Sequence, residues 1–169
     1  FLRLVEEEKK ALSYKTVEID TNAFDVEIPT PLLEVPKVTI EDTNAFEAWK
    51  KSNVIPQKQA GYVAIGIKVH LGDFYTDKAR ALADLIKNYA ANELRFSLRQ
   101  NIIIRHVKEE NLPFFYQELA KLDFVATGYD SIADITACPG TDTCNLGIAS
   151  STGIAAELER VLETEYPQY

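Results

Sequence analysis

The sequence contains no methionine, one tryptophan and two cysteines among its 169 residues. It has no run of about 18 apolar residues, so a membrane-spanning helix is not expected. The opening FLRLVEEEKK places acidic residues where a signal peptide has its apolar stretch, so a signal peptide is not expected either. The net charge of −8 argues against a nucleic-acid partner, because phosphates require a basic surface. These absences exclude the membrane and nucleic-acid classes.

The composition that remains, 46% hydrophobic and 26% charged, is typical of an ordinary globular protein. A chain of this length can bury a core without disulfides, so the cysteines are not needed as a scaffold. We expect a cytoplasmic, reducing location, where paired cysteines more often indicate metal or redox chemistry. Because the chain begins with Phe1 and has no methionine, we expect it to be a piece of a longer polypeptide.

Residues 1–57 are predicted to form an irregular arm or linker with two short helices. The first helix is expected in EEEKKALSYK, and the second near Asn44–Lys51. Between them, Pro29, Pro31 and Pro36 favour extended chain over regular helix.

From residue 61 onward the pattern predicts strand, helix, strand, strand, helix, strand. YVAIGIKVHLG is rich in β-branched residues, and TDKARALADLIKNYA has an apolar stripe of helical period. ELRFSLRQNIIIRHV reads as one strand, or as two strands with a break near Gln100–Asn101. NLPFFYQELAKLDF reads as the second helix, and VATGYDSIADIT as extended chain. This order predicts an α+β fold of the ferredoxin-like, split βαβ type.

A C-terminal cysteine loop and a third helix complete the prediction. The helix is expected over residues 145–165, with Cys144 at or just before its start. Its buried face is predicted to contain Ile154, Leu158, Val161 and Leu162.

Three of the six arginines, Arg95, Arg99 and Arg105, fall within eleven residues. If the strand is continuous, its period of two places them on one face with Ser97 and Asn101. Guanidinium groups match carboxylates and phosphates in a bidentate manner, so this face could hold a polyanionic ligand. A solvated outer face is the alternative, and a break at Gln100 would disperse the arginines.

The two cysteines, Cys138 and Cys144, flank a loop that contains Pro139 and Gly140. Loop and helix-end N–H groups favour thiolates and suit an iron–sulfur cluster. Five intervening residues are too many for a redox C-x-x-C pair and for common zinc spacings. On spacing alone, two structural thiols are equally compatible.

TACPGTDTCNLGIA resembles the first cysteine motif of the assimilatory nitrite and sulfite reductases, T-A-C-x5-C followed by a helix of small residues. The stretch Ser97-Leu98-Arg99-Gln100-Asn101 is similar to the [ST]-x-x-Q-N strand of that family. GIKVHLGDFYTDKARALADLIKNYA is similar to the strand, turn and helix that precede it. The resemblance extends over residues 58–165 in the order the family has, and the cysteines follow the ferredoxin-like unit as they do in the second half of those enzymes.

The resemblance implies an enzyme with sirohaem bridged to a 4Fe–4S cluster. Such enzymes catalyse the six-electron reduction of nitrite to ammonia or of sulfite to sulfide, with ferredoxin or a flavoprotein as donor. Cys138 and Cys144 would be the first pair of cluster ligands. The cofactor-binding residues would be Ser97, Arg99, Gln100, Asn101 and Thr136, with Arg99 proposed from its charge and not from the family motif. No catalytic residue is expected in this chain.

The family completes its cluster with a second cysteine pair, and its substrate-binding Arg and Lys residues lie mainly in the first half. This chain has no further cysteine. We therefore expect part of an active site, no cofactor and no activity in the isolated chain, with the remaining halves of the same polypeptide as partners. The expected division is 1–57 arm, 58–130 ferredoxin-like half domain, and 131–169 start of the sirohaem/4Fe–4S domain. Nitrite is slightly favoured over sulfite.

Two alternatives stay open from the residues themselves. One is a ferredoxin-like ligand-binding or regulatory module with structural cysteines. The other is a thiol–disulfide switch between Cys138 and Cys144.

Overall fold

A computed structural model of the chain describes residues 1–12 and 28–167. The helices are α1 (Leu2–Ala11), α2 (Thr43–Asn53), α3 (Thr76–Tyr89), α4 (Leu112–Ala120) and α5 (Ser151–Glu165). The strands are β1 (Val54–Pro56), β2 (Tyr62–Ile67), β3 (Leu94–Phe96) and β4 (Ile102–Lys108). The helix predicted in EEEKKALSYK corresponds in part to α1, and its last three residues lie outside the described ranges. The helix predicted near Asn44–Lys51 is confirmed as α2, which begins where the Asp42 carboxylate accepts the Ala45 N–H at 3.0 Å.

The four strands form one antiparallel sheet in the order β1-β2-β4-β3. The central strand β2 is mostly buried, and the apolar β-branched residues Ile102, Ile104 and Val107 of β4 are buried as well, as expected for strands with neighbours on both sides. The mixed helix-and-sheet architecture confirms the α+β prediction. β4 contains a bulge, because Arg105 and His106 lie opposite Ala64 alone, and His106 has a φ of 57°.

The core lies between the sheet and helices α2, α3 and α4. Trp49 of α2 is fully buried and contacts the rings of Phe46 and Tyr116 at 6.0 and 5.1 Å between centroids. Leu82, Leu85 and Ile86 of α3 are buried, as their helical spacing predicts. The α2 segment, read from the sequence as part of an arm, therefore contributes its largest side chain to the core.

The predicted strand in residues 125–136 is absent from the described structure, and that prediction is wrong. The chain makes successive turns instead, with Gly128 and Asp130 at φ values of 89° and 57°. The Ser131 N–H donates to the Gly128 carbonyl and the Asp134 N–H to the Ser131 carbonyl. Positive φ values are incompatible with continuous extended chain. The fourth strand of the sheet is β1, which precedes β2 in a hairpin.

The third helix begins six residues later than predicted, at Ser151 instead of residue 145. Ser150 caps it by accepting the Gly153 N–H at 3.2 Å. Its buried residues are Ala155 and Glu159, whereas Ile154 and Leu158 are 57% and 47% exposed. The buried face is thus displaced by one residue at these positions, because the helix turns Ala155 and Glu159 inward, with Glu159 toward Lys68 and Ile135.

No helix within residues 1–12 and 28–167 is long and apolar enough to cross a membrane.

Candidate functional site: a hairpin turn joined to the cysteine loop

Residues 97–101 form a tight turn between β3 and β4, so the strand prediction with a break at Gln100–Asn101 is confirmed. The Ser97 N–H donates to the Asn101 carbonyl at 2.8 Å, and Gln100 has a φ of 63°. The Ser97 hydroxyl accepts the N–H groups of Arg99 and Asn101, both at 3.2 Å. A serine at this position therefore shapes the turn, as short hydroxyl side chains commonly do.

Asn101 is fully buried, and both ends of its amide are occupied within the protein. Its oxygen accepts the Val69 N–H at 2.8 Å, and its NH₂ donates to the Asp134 carboxylate at 2.6 Å. The same carboxylate oxygen accepts the Asp130 N–H at 2.8 Å. Asn101 thus connects the end of the β2 segment to the loop that leads to the cysteines.

Gln100 and Arg99 reinforce this connection from the exposed side of the turn. The Gln100 NH₂ donates to the carbonyl of Ala137, the residue before Cys138, at 3.0 Å. The Arg99 guanidinium pairs with Asp130 at 2.8 Å. Thr136 is exposed between these contacts. The two sequence motifs are therefore in direct contact.

The prediction that one strand face presents all three arginines is wrong, because the turn interrupts the strand. Arg95 and Arg105 both pair with Glu93, at 2.6 and 3.0 Å, and Arg99 pairs with Asp130 instead. His106 Nδ1 lies 3.5 Å from Glu93. Burial and the neighbouring Arg105 lower the pKa of His106 from its ordinary value, with Glu93 opposing them.

The cysteine loop folds closely upon itself around two glycines. Gly140 has a φ of 56°, and a Cβ there would lie 2.6 Å from the Ala149 carbonyl oxygen. A Cβ on Gly147 would lie 2.8 Å from the Gly140 backbone. The Cys144 N–H donates to the Gly140 carbonyl at 2.9 Å. The loop requires glycine at these positions because its two limbs meet backbone to backbone.

Cys138, not Cys144, lies at the start of α5. Its exposed thiol donates to the hydroxyl of Ser151, the first residue of that helix, at 3.4 Å. Once the thiol is deprotonated, the Ser151 hydroxyl can donate to the sulfur instead, as the Gly140 N–H does, and these two bonds lower the pKa of Cys138. Both donors stabilise a thiolate, as the sequence predicted for a loop next to a helix N-terminus.

Cys144 is exposed on the same loop, seven residues before α5, so its predicted position at the helix start is wrong. Residues 145–150, which contain a turn at Asn145–Leu146 and a bend at Ala149, separate it from the helix. Both cysteines are free thiols. Structural cysteines are typically buried, so their exposure favours a role in ligation or reaction over a packing role.

The donor set fits half of an iron–sulfur site. Cluster ligation takes about four thiolates, and the chain has two. Within residues 1–12 and 28–167, no three His, Cys, Asp or Glu side chains are grouped to hold a metal ion. The exposed thiols, with backbone N–H donors around Gly140, suit the anionic sulfurs of a cluster completed by ligands from elsewhere.

An ionic cluster around the buried Glu159, beside the loop, was not predicted from the sequence. Glu159 of α5 is 4% exposed and lies 2.7 Å from His70 Nδ1 and 3.6 Å from Lys68 Nζ. The Ile135 N–H donates to Glu159 Oε1, the oxygen that also faces Lys68, at 3.3 Å. A glutamate among the small and apolar residues Ala155 and Leu162 was the available signal, since charged residues are rarely buried unless paired.

The fold is that of a ferredoxin-like half domain, and the cysteine loop follows it in the chain. Residues 55–122 match the family model described as the nitrite/sulfite reductase ferredoxin-like half domain. Residues 55–122 of the chain are therefore a ferredoxin-like half domain of the nitrite/sulfite reductase type.

Curated relatives agree with this assignment. The ferredoxin–nitrite reductase of Synechococcus elongatus is 28% identical over 120 residues, which cover 69% of this chain and 23% of the relative. The chloroplastic ferredoxin–nitrite reductase of Spinacia oleracea is 25% identical over 162 residues, 89% of this chain and 27% of the relative. That of Arabidopsis thaliana is 30% identical over 119 residues, 68% and 20% respectively. The chain spans about a quarter of the length of these relatives.

Proposed function

We propose that this chain is the part of a ferredoxin-dependent nitrite reductase that presents the first cysteine pair of a 4Fe–4S cluster and a sirohaem-facing turn. The enzyme would reduce nitrite to ammonia in a six-electron reaction. The observation that supports this most is the 3.0 Å hydrogen bond from Gln100 to Ala137, which joins the Ser97–Asn101 turn to the cysteine loop.

Cys138 and Cys144 are proposed as two ligands of the cluster. Their exposure leaves both sulfurs accessible to a group outside the chain, and Cys138 already has thiolate-stabilising donors. The other ligands would come from further polypeptide, so we expect the chain alone to assemble no 4Fe–4S cluster and to have no reductase activity.

Sirohaem is proposed to lie along the turn that contains Ser97, Arg99 and Gln100, with Thr136 beside it. Arg99 is half-exposed although paired with Asp130, so its guanidinium could also reach a carboxylate of the macrocycle. Asn101 is too deeply buried for direct contact and would act through Asp134.

Further polypeptide of the same enzyme is the proposed partner of the cysteine face. Leu146 and Ile148 of the loop are 90% and 99% exposed, and Ile154 and Leu158, which lie one turn apart on α5, are 57% and 47% exposed. Exposed apolar side chains of this kind suit an interface with further polypeptide.

Nitrite is favoured over sulfite, and ferredoxin over a flavoprotein, because the relatives described above are named ferredoxin–nitrite reductases. We also propose that the protein is located in the cytoplasm. Both cysteines are exposed free thiols, which persist in a reducing compartment and are oxidised in an oxidising one.

A chimeric enzyme tests this function. Residues 58–167 would replace the matching segment of the Synechococcus elongatus enzyme, and nitrite-dependent oxidation of reduced ferredoxin would be measured. Turnover that is abolished by Cys138→Ser supports the proposal. A folded chimera whose turnover is unchanged by Cys138→Ser would contradict it.

A further inference from the structure

Glu159 is a buried carboxylate whose contacts extend across three segments of the chain. It projects from the middle of α5, where Ala155 and Leu162 occupy the neighbouring turns of the same face. Lys68, which follows β2, is also buried and lies between Glu159 and Glu163, at 3.6 and 3.3 Å. His70 lies in the turn that follows, 2.7 Å from the second oxygen of Glu159.

A buried ion pair of this kind is not needed for stability, because apolar residues of similar volume are often at least as stabilising. The distinctive contact of Glu159 is the one to the Ile135 N–H, three residues before Cys138. That contact joins α5, whose first residue is bonded to the Cys138 thiol, to the chain that leads into the cysteine loop.

The segment before Cys138 is held at successive residues by different elements. Asp134 is bonded by Asn101 of the hairpin turn, Ile135 by Glu159 of α5, and Ala137 by Gln100. The first and last of these come from one side of the segment, from the β3–β4 turn. From α5, Glu159 supplies the contact to this segment, and Ser151 supplies a second contact to the Cys138 thiol itself.

We propose that Glu159 is a positioning residue for the cysteine ligands, which aligns residues 134–138 with the N-terminus of α5 and so presents Cys138 for metal binding. This inference rests on the proposed function, in which Cys138 is a metal ligand. Groups that orient metal ligands through hydrogen bonds commonly affect metal affinity.

The test uses the chain itself with Cd²⁺ as the probe and compares Glu159→Ala, Glu159→Gln and Glu163→Ala. Glu163 is the matched control, because it also pairs with Lys68 but is 59% exposed and accepts from Lys68 instead of from residues 134–138. Hydrogen–deuterium exchange is followed in residues 134–138 and in β2, and Cd²⁺ binding is followed by thiolate-to-metal absorption.

We expect Glu159→Ala to accelerate exchange in residues 134–138 but not in β2, and to weaken Cd²⁺ binding by about tenfold. Glu159→Gln retains one acceptor oxygen and should show a smaller effect of the same kind. It decides the question if Glu159→Ala does not fold. Glu163→Ala should resemble the wild type.

Exchange in residues 134–138 that is no faster in the Glu159 variants than in Glu163→Ala would overturn the inference, as would equal acceleration in β2. If the wild-type chain binds no Cd²⁺ through its thiols, the ligand role of the cysteines fails, and the exchange data still decide whether Glu159 positions the loop.

Discussion

The side-chain amide of Asn101 donates a 2.6 Å hydrogen bond to the carboxylate of Asp134, and both residues are buried. One residue ends the hairpin turn between β3 and β4, and the other begins the segment that leads to Cys138. The bond therefore connects the sheet to the cysteine loop across 33 residues of sequence.

Asn101→Ala should destabilise the chain by about 2–4 kcal/mol, because it leaves the Val69 N–H and the Asp134 carboxylate without their partner in a buried site. Urea unfolding monitored by Trp49 fluorescence measures this change. Thr136→Ala, at an exposed position of the same loop, serves as the control and should cost far less. Equal costs in the two variants would contradict the buried network.

Gly140→Ala should destabilise the cysteine loop through two effects. Alanine disfavours a φ of 56°, and its Cβ would lie 2.6 Å from the Ala149 carbonyl oxygen. Gly61 offers a matched control, because it has a φ of 79° with no atom within 4 Å of the added Cβ. Gly61→Ala should cost about 1–2 kcal/mol from backbone strain alone. Unfolding measurements should give a larger loss for Gly140→Ala, and equal losses would show that the loop is not closely packed there.

The Ser151 hydroxyl and the Gly140 N–H lower the pKa of Cys138. Because the thiolate is the reactive form, these two contacts should make Cys138 react faster with an alkylating reagent than it would without them. Ser151→Ala should raise the pKa of Cys138 and slow its alkylation at pH 7 by about twofold or more. Mass spectrometry of iodoacetamide-labelled peptides measures each cysteine separately. Cys144 provides the internal control, since its contacts do not include Ser151, and a parallel fall in both rates would indicate general disruption.

The protonation of His106 should lower the free energy of unfolding as the pH falls. Its pKa is lower in the folded state than in the unfolded state, because burial and Arg105 disfavour the imidazolium. The unfolded chain therefore binds the proton first, so stability is fully present above about pH 6.5 and is lost as the pH falls below it.

The control for this pH effect is His106→Asn, because asparagine tolerates the φ of 57° and does not titrate. Urea unfolding of both proteins at pH 7 and pH 5 gives the comparison. The difference in unfolding free energy between wild type and variant should shrink toward pH 5. A difference that stays constant would show that His106 does not contribute.

Much of this architecture could be predicted because the elements between residues 61 and 120 have strong local patterns. The stripe of Leu82, Leu85 and Ile86 and the break at Gln100 both follow from short-range rules. The pairing of β1 with β2 could not be predicted, because a three-residue strand after α2 has too little pattern of its own. The strand predicted after α4 is absent from the described residues, because Gly128 and Asp130 adopt positive φ values in the turns that form there.

The candidate site was predictable only in part. The Ser97–Asn101 motif and the cysteine motif were identified from their residues. The contact between them, from Gln100 to Ala137, forms only in the folded chain and could not be predicted. The prediction of a single arginine face was wrong. Arg95 and Arg105 pair with Glu93 and Arg99 pairs with Asp130, and the period of two in a strand does not predict these ion pairs. Glu159 was missed because a helical pattern alone does not distinguish a buried, paired glutamate from a solvated one.

The most direct measurement is the iron and acid-labile sulfide content of the purified chimera, with the natural cysteine pair and with Cys138→Ser. We predict iron and sulfide in the ratio of a 4Fe–4S cluster for the natural pair, together with the sirohaem absorption, and loss of the cluster in Cys138→Ser. A Cys138→Ser chimera that retains the full iron and sulfide content would contradict the assignment of this loop as a cluster-binding site.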